Sequence, residues 1–344
     1  MKKSNFILLL ILILSFCFFS WKEAHDSSDY IDFIVPKGWP KPVYNFKSNP
    51  LTKSGFELGR KLFYDPILSR DSTISCASCH LQYTGFAHTD HALSHGIEGR
   101  IGTRNAMSLV NLAWTKSFHW DGGVVGLEVQ PINPITNSLE MDNTLANALQ
   151  SLKNSKKYKA MFFNAFGDSI ATTKLLLKAL AQYTVSLESY NSKYDKVQRH
   201  EKGFSFTKQE ENGYNLFKIN CATCHNEPLL TNTSFADNGL PFDKDYRDYG
   251  KVTITQNPKD SFNFRVPTLR NIEFTYPYMH DGRFNKLKEV INFYTDGKVK
   301  RKTLAKELQK PIQFTENEKK DLIAFLLTLT DKEFLFNTNF SFPK

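Results

Sequence analysis

The stretch Ser75-Cys76-Ala77-Ser78-Cys79-His80 decides how this chain of 344 residues is read, because it returns as Asn220-Cys221-Ala222-Thr223-Cys224-His225. The cysteines of the two copies are offset by 145 positions. Each copy follows a helical Gly-x-x-Leu-Phe, Gly59 to Phe63 in one and Gly213 to Phe217 in the other. Self-similarity of this kind marks a duplicated domain. C-x-x-C-H is the attachment signature of c-type haem. Two thiols one helical turn apart meet the two vinyl groups of one haem, and the adjacent histidine ligates the iron. Cys76, Cys79, Cys221 and Cys224 are therefore the attachment residues for two covalently bound haem c groups, with His80 and His225 as proximal ligands. Paired C-x-x-C motifs also occur in zinc sites and redox dithiols, but neither use needs a histidine directly after both motifs.

The rest of the composition is compatible with this reading. An apolar fraction of 41% and a charged fraction of 23% exclude a disordered or low-complexity chain. Five cysteines are too few for a disulfide scaffold, and the fifth, Cys17, lies outside both motifs. The formal charge of +9 is spread without a dense basic run, which argues against nucleic acid as a partner.

Lys2 and Lys3 precede the apolar run Phe6 to Phe19, the pattern of a secretory signal over residues 1–20. The run is shorter than the roughly 20 apolar residues of a membrane span, so export to the periplasm is expected. Lipid anchoring at Cys17 is disfavoured by the bulky Phe16 before it. Residues 21–50, holding Pro36, Pro40, Pro42 and Pro50, read as an extended lead-in that precedes the ordered chain. A helix with Leu58, Leu62 and Phe63 opens the first domain, 51–200, and Thr207-Lys208-Gln209-Glu210 is a capping box opening the second, 201–344. Helical periodicity covers about Asn143 to Leu152, Tyr158 to Phe166, Thr172 to Ser189 and Leu287 to Tyr294. The capping box Thr315 to Glu318 introduces a last helix carrying Leu322, Phe325, Leu326 and Leu329. Val252 to Thr255 is the best strand candidate. The expected class is mainly α, two tandem cytochrome-c-like domains each with one haem.

From Asn49 to the last helix the chain resembles the bacterial di-haem cytochrome c peroxidases and their MauG-like relatives. The resemblance rests on Leu58-Gly59-Arg60-x-Leu62-Phe63-Tyr64-Asp65, Gly102-Thr103-Arg104-Asn105, Trp120-Asp121-Gly122-Gly123, Val266-Pro267-Thr268-Leu269-Arg270-Asn271 and Tyr278-Met279-His280-Asp281-Gly282, in that order around the two haem motifs. It implies two domains facing one another, with peroxide reacting at the N-terminal haem and electrons entering at the C-terminal one. Gln130 and Glu140, ten and twenty residues after Trp120, match the family's distal glutamine and glutamate. A carboxylate there can take a proton from one peroxide oxygen and return it to the leaving one. Gln130 would orient peroxide, and Pro134 would shape the loop between them. Trp120 matches the tryptophan placed between the haems. Arg104-Asn105 with Thr275 and Pro277 matches an interdomain calcium site built from one amide and backbone carbonyls.

Two positions depart from the peroxidase pattern. His95 matches the histidine that caps the peroxidatic iron at rest, but its loop is two residues longer and also holds His88 and His91. Fourteen residues after His280, where the peroxidases place a methionine ligand, stands Tyr294, as in MauG-like relatives. A phenolate stabilises ferric and higher states, whereas a thioether raises the potential. Met279 is the alternative distal ligand. The expected function is reduction of hydrogen peroxide to water with electrons from a small cytochrome c or cupredoxin donor. The alternatives are a MauG-like oxidase acting on a protein or organic substrate through a bis-haem high-valent state, and a non-catalytic di-haem electron carrier. A homodimer is a further candidate partner arrangement, which the sequence does not decide.

Overall fold

The computed structural model describes residues 29–343; the signal segment, Cys17 and the start of the lead-in lie outside them. The described chain is mainly helical. Helices α1 (Lys53–Tyr64) and α2 (Cys76–Cys79) precede α3 (Ile132–Thr136), α4 (Leu145–Asn154), α5 (Lys156–Phe166), α6 (Thr173–Val185) and α7 (Lys193–Gln198). The second half holds α8 (Lys208–Asn220), α9 (Val252–Thr255), α10 (Leu287–Asn292), α11 (Glu316–Leu327) and α12 (Lys332–Leu335). Two short antiparallel ribbons complete it, β1 (Ser117–Phe118) with β2 (Val124–Val125), and β3 (Phe235–Ala236) with β4 (Phe264–Arg265).

Helix starts follow local chemistry. The Thr52 hydroxyl accepts from the Gly55 amide to open α1. The capping boxes Thr207/Glu210 and Thr315/Glu318 close as reciprocal side-chain-to-backbone bonds at the starts of α8 and α11.

Each half is built on one close helix crossing, and a glycine permits it. A Cβ on Gly59 would stand 2.0 Å from the Ala179 carbonyl oxygen of α6, and a Cβ on Gly213 would stand 2.0 Å from that of Asp321 on α11. The repeated Gly-x-x-Leu-Phe thus places the backbone of one helix against another, with the Phe one turn further on and buried. Phe63 lies in a core with Leu58, Leu62, Leu176 and Tyr183. Phe217 lies in a second core with Leu322, Phe325 and Leu326.

Three features depart from expectation. Val252–Thr255, expected as a strand, is a helical turn ended by Gln256 in the left-handed region. The Gln256 amide donates to the Val252 carbonyl at 2.8 Å and the Thr253 hydroxyl to Gly250 O at 2.8 Å. Its β-branched residues have no strand to pair with, and strand preference needs one. The lead-in is extended but belongs to the packed structure. Phe33, Trp39 and Tyr44 cover a third core around Leu112 and Trp114, and Trp114 Nε1 donates to Pro40 O at 2.7 Å. Finally, the end of the chain returns to the first half. Phe334 and Leu335 join its core, and the Tyr64 and Tyr183 hydroxyls both donate to Phe340 O at 2.8 Å.

Candidate functional site

The first motif forms the single turn α2, opened by the Ser75 amide donating to Ser78 Oγ at 3.1 Å. This puts Cys76 and Cys79 one turn apart, as thioether attachment requires. Burial pushes the Cys76 thiol up to about 12 and that of Cys79 up to about 11, so both are protonated. His80 Nδ1 lies 2.8 Å from Phe86 O, and burial pushes the imidazole down to about 4. A neutral ring whose Nδ1–H donates to a carbonyl keeps Nε2 as a lone pair, the state that binds iron.

The second motif follows α8. His225 Nδ1 lies 3.2 Å from Leu230 O and 3.1 Å from Pro267 O, and burial again pushes the ring down to about 4. Cys221, Cys224 and His225 line a cavity of about 250 Å³ that extends to the domain interface. Tyr294 and Met279 line the same cavity, and one amide reaches toward both: Asn238 Nδ2 is 3.4 Å from Tyr294 Oη and 3.5 Å from Met279 Sδ. Tyr294 sits in a π-helical turn, Phe293–Gly297, that extends α10. Such turns re-aim a side chain and recur at functional positions. Burial pushes its phenol up to about 12, with Asn238 opposing the shift.

Glu140 is half-buried just after α3, where its Oε1 accepts from Asn137 Nδ2 at 2.7 Å. Burial raises its carboxyl above the usual carboxylate range, while the Asn137 bond opposes the rise. Its backbone packs on Gly96, where a Cβ would stand 2.6 Å from Glu140 Cα, and the neighbouring His95 O accepts from Cys79 Sγ, which brings the Glu140 segment to the first motif. Gln130 is half-buried and makes no side-chain hydrogen bond among the described residues. Pro134 lies within α3 and accepts from the Met141 amide at 3.1 Å.

The His95 loop packs on this region. Cys79 Sγ donates to His95 O at 3.3 Å, and the Ile97 amide donates to Glu140 O at 2.8 Å. The three loop histidines form a stack, His91 on His95 at 4.0 Å and His88 on His91 at 5.4 Å between centroids.

Trp120 is buried between the halves. Its Nε1 donates to Asn105 O at 2.9 Å, and its ring meets His280 edge-on at 6.4 Å. His280 in turn stacks on Phe264 at 3.6 Å. Asn105, Thr275 and Pro277 share the wall of the interdomain cavity, and Asn105 Nδ2 donates to Ala92 O at 2.9 Å. Arg104, grouped with this set by sequence, spends its guanidinium on Asp121 at 2.5 Å and Asp248 at 2.6 Å instead. Among the described residues no group of three or more His, Cys, Asp or Glu side chains converges as a metal-ion cage.

Three residues escaped sequence reasoning. Asn238, Asp248 and Arg265 carry no spacing signal, because each meets its partners through tertiary packing. Arg265 is the most telling. It is buried, its Nε has no partner, and it lines the cavity beside His225. A cavity with two thiols, a neutral imidazole and a buried cation that has no carboxylate partner fits a haem.

Residues 53–203 match the model of the family described as di-haem cytochrome c peroxidase, and residues 210–330 match that of cytochrome c. The chain is 34% identical over 299 residues to the methylamine utilization protein MauG of Methylorubrum extorquens, covering 84% of this chain and 82% of the relative. The chain belongs to the di-haem cytochrome c peroxidase and MauG family. Cytochrome c551 peroxidase of Nitrosomonas europaea is also 34% identical, over 295 residues and 84% of each chain. A crystal structure of a MauG-like protein associated with microbial copper homeostasis superposes with a TM-score of 0.83 at 31% identity, covering 91% of this chain and 99% of that one. Membership implies two haem c groups, one for each C-x-x-C-H motif. No helix among the described residues is long and apolar enough to cross a membrane.

Proposed function

We propose that this protein is a periplasmic di-haem cytochrome c peroxidase that reduces hydrogen peroxide, with two electrons and two protons, to two waters. The observation that carries the reading is Glu140, a half-buried carboxylate with a raised pKa on a segment that bonds the His95 loop, which in turn bonds Cys79. Bound haem supplies an iron that takes peroxide and passes electrons. Glu140 accepts a proton from one peroxide oxygen and delivers it to the leaving oxygen, while Asn137 holds the carboxylate in place. Gln130 orients the peroxide, and Trp120 stands between the halves as a stepping stone for electrons. His80 and His225 would ligate the two haem irons, and His95 would cap the first site at rest. The domains divide near residue 200, with residues 334–340 crossing back to the first.

Electrons come from a small cytochrome c or cupredoxin docking on the second half. Asn105, Thr275 and Pro277 hold a calcium ion through one amide oxygen and backbone carbonyls, a hard-oxygen set. Residues 1–20 direct export, and two copies pair as a homodimer. Peroxide turnover with reduced cytochrome c, compared between the unchanged protein and Glu140→Ala, tests the reading. Equal turnover removes Glu140 from its role.

Tyr294 on the cavity of the second motif favours a second reading, a MauG-like oxidase of a protein or organic substrate. Turnover of such a substrate with peroxide and without a cytochrome donor would establish it. Failure of peroxide to bind either iron in any redox state leaves the electron-carrier reading.

A further inference from the structure

Arg265 ends β4 at the boundary between the halves, and the residue is 8% exposed. Its Nη1 donates to Ser117 O at 3.1 Å and its Nη2 to Thr115 Oγ1 at 3.5 Å, while Nε is buried with no partner. Other enclosed arginines of this chain have carboxylates. Arg270 faces Asp195 at 2.8 Å, Arg104 faces Asp248 at 2.6 Å, and Arg301 faces Asp237 at 2.8 Å. Arg265 makes no ion pair among the described residues. Burial lowers its pKa to about 10, so it remains a cation at neutral pH. A buried charge without an anion is among the least favourable arrangements a fold can hold.

The surroundings say where the anion belongs. Arg265 lines the cavity whose other wall carries Cys221, Cys224, His225 and Tyr294. Its backbone N–H donates to Trp120 O at 2.8 Å, tying the guanidinium's position to the tryptophan. A planar fork of N–H donors is the group best matched to a carboxylate.

We propose that Arg265 is the counter-ion of a propionate of the haem bound at Cys221, Cys224 and His225, and that it positions this haem against Trp120. The proposal rests on the assignment of haem to the second motif. A cation fixed at the haem edge favours the reduced state, offsetting the opposite pull of a phenolate from Tyr294. Arg265 is a positioning residue, acting through the haem and the tryptophan.

Haem count by pyridine haemochrome and the midpoint potential of each haem, assigned by electron paramagnetic resonance, test it in the holoprotein. In Arg265→Gln the count stays at two and the midpoint of the C-terminal haem falls. At fixed potential its reduced-to-oxidised ratio drops about tenfold, which is about 59 mV for one electron. The N-terminal haem does not move, and Arg265→Lys recovers most of the shift. Two haems with an unmoved C-terminal midpoint, a shift confined to the N-terminal haem, or a lysine variant equal to the glutamine one overturns the proposal. A haem count below two in the unchanged protein overturns the haem assignment instead. Should neither variant mature, a holoprotein crystal structure decides. A propionate oxygen of the C-terminal haem within hydrogen-bond distance of Arg265 supports the role, and a guanidinium bonded only to Ser117 and Thr115 refutes it.

Discussion

Arg104 grips Asp248 with two bonds, Nε to Oδ2 at 2.6 Å and Nη2 to Oδ1 at 2.9 Å, across 144 positions of sequence. The same guanidinium reaches Asp121 at 2.5 Å, next to Trp120. One side chain therefore fixes the second half of the molecule to the turn that carries the tryptophan. Removing one partner from an enclosed ion pair leaves the other unpaired, which destabilises by roughly 3 kcal/mol. Arg104→Ala is expected to lower the unfolding midpoint in denaturant and to slow electron transfer between the haems. A variant with unchanged stability and unchanged transfer rate would show that the clamp is ornamental.

With Glu140 as the proposed proton acceptor, the acid limb of the pH profile is expected to follow its carboxyl. A base must be ionised, so turnover falls as pH drops through its raised pKa. The Asn137 bond opposes that rise, and Asn137→Ala removes the opposition. The acid limb of kcat/KM against pH should therefore move to higher pH in the variant. An acid limb that stays put, or moves down, would detach it from Glu140.

Tyr294 and Met279 present two candidate atoms to the cavity of the second haem motif. With tyrosine as ligand, Tyr294→Phe abolishes the low-spin resonance of that haem in the ferric protein, and Met279→Leu leaves it intact. The reverse pattern would hand the position to the methionine.

Gly59 and Gly213 have no room for a methyl group, since each would stand 2.0 Å from a carbonyl oxygen of the crossing helix. Gly59→Ala and Gly213→Ala should each destabilise by roughly 1–3 kcal/mol through forced separation of the helices. Thermal unfolding of each variant reads this, and an unshifted midpoint would mean that the crossings relax without strain.

What the chain disclosed before folding was local. Thr207 with Glu210 and Thr315 with Glu318 announce helix starts because both partners of each bond lie within one turn. The C-x-x-C-H motifs are legible for the same reason. Gly59 and Gly213 could be seen to correspond, but their use, a backbone crossing, involves residues over a hundred positions away. Val252 to Thr255 misled because β-branched residues state a preference that only a neighbouring strand can satisfy. The packing of Trp39 on Trp114, at 4.9 Å between centroids, is invisible in a proline-rich segment whose partner lies far along the chain. Arg265 was silent because an arginine's lack of an anion is a fact about its surroundings.

The return of residues 334–340 to the first half bears on how the protein is assembled. Arg60 Nη1 donates to Asn339 O at 2.7 Å across 279 positions, and Gln82 Nε2 donates to Asn337 O at 2.7 Å, beside the first attachment histidine. In a chain delivered from its N-terminus, the rim around Cys76 to His80 stays unsealed until residues 337–339 are available to close it. The first half thus lacks its latch until late, whereas α8 and α11 pair within a hundred or so residues of one another. Closure of the first half is therefore tied to delivery of residues 334–340, and the segment that closes it is drawn from the opposite end of the fold.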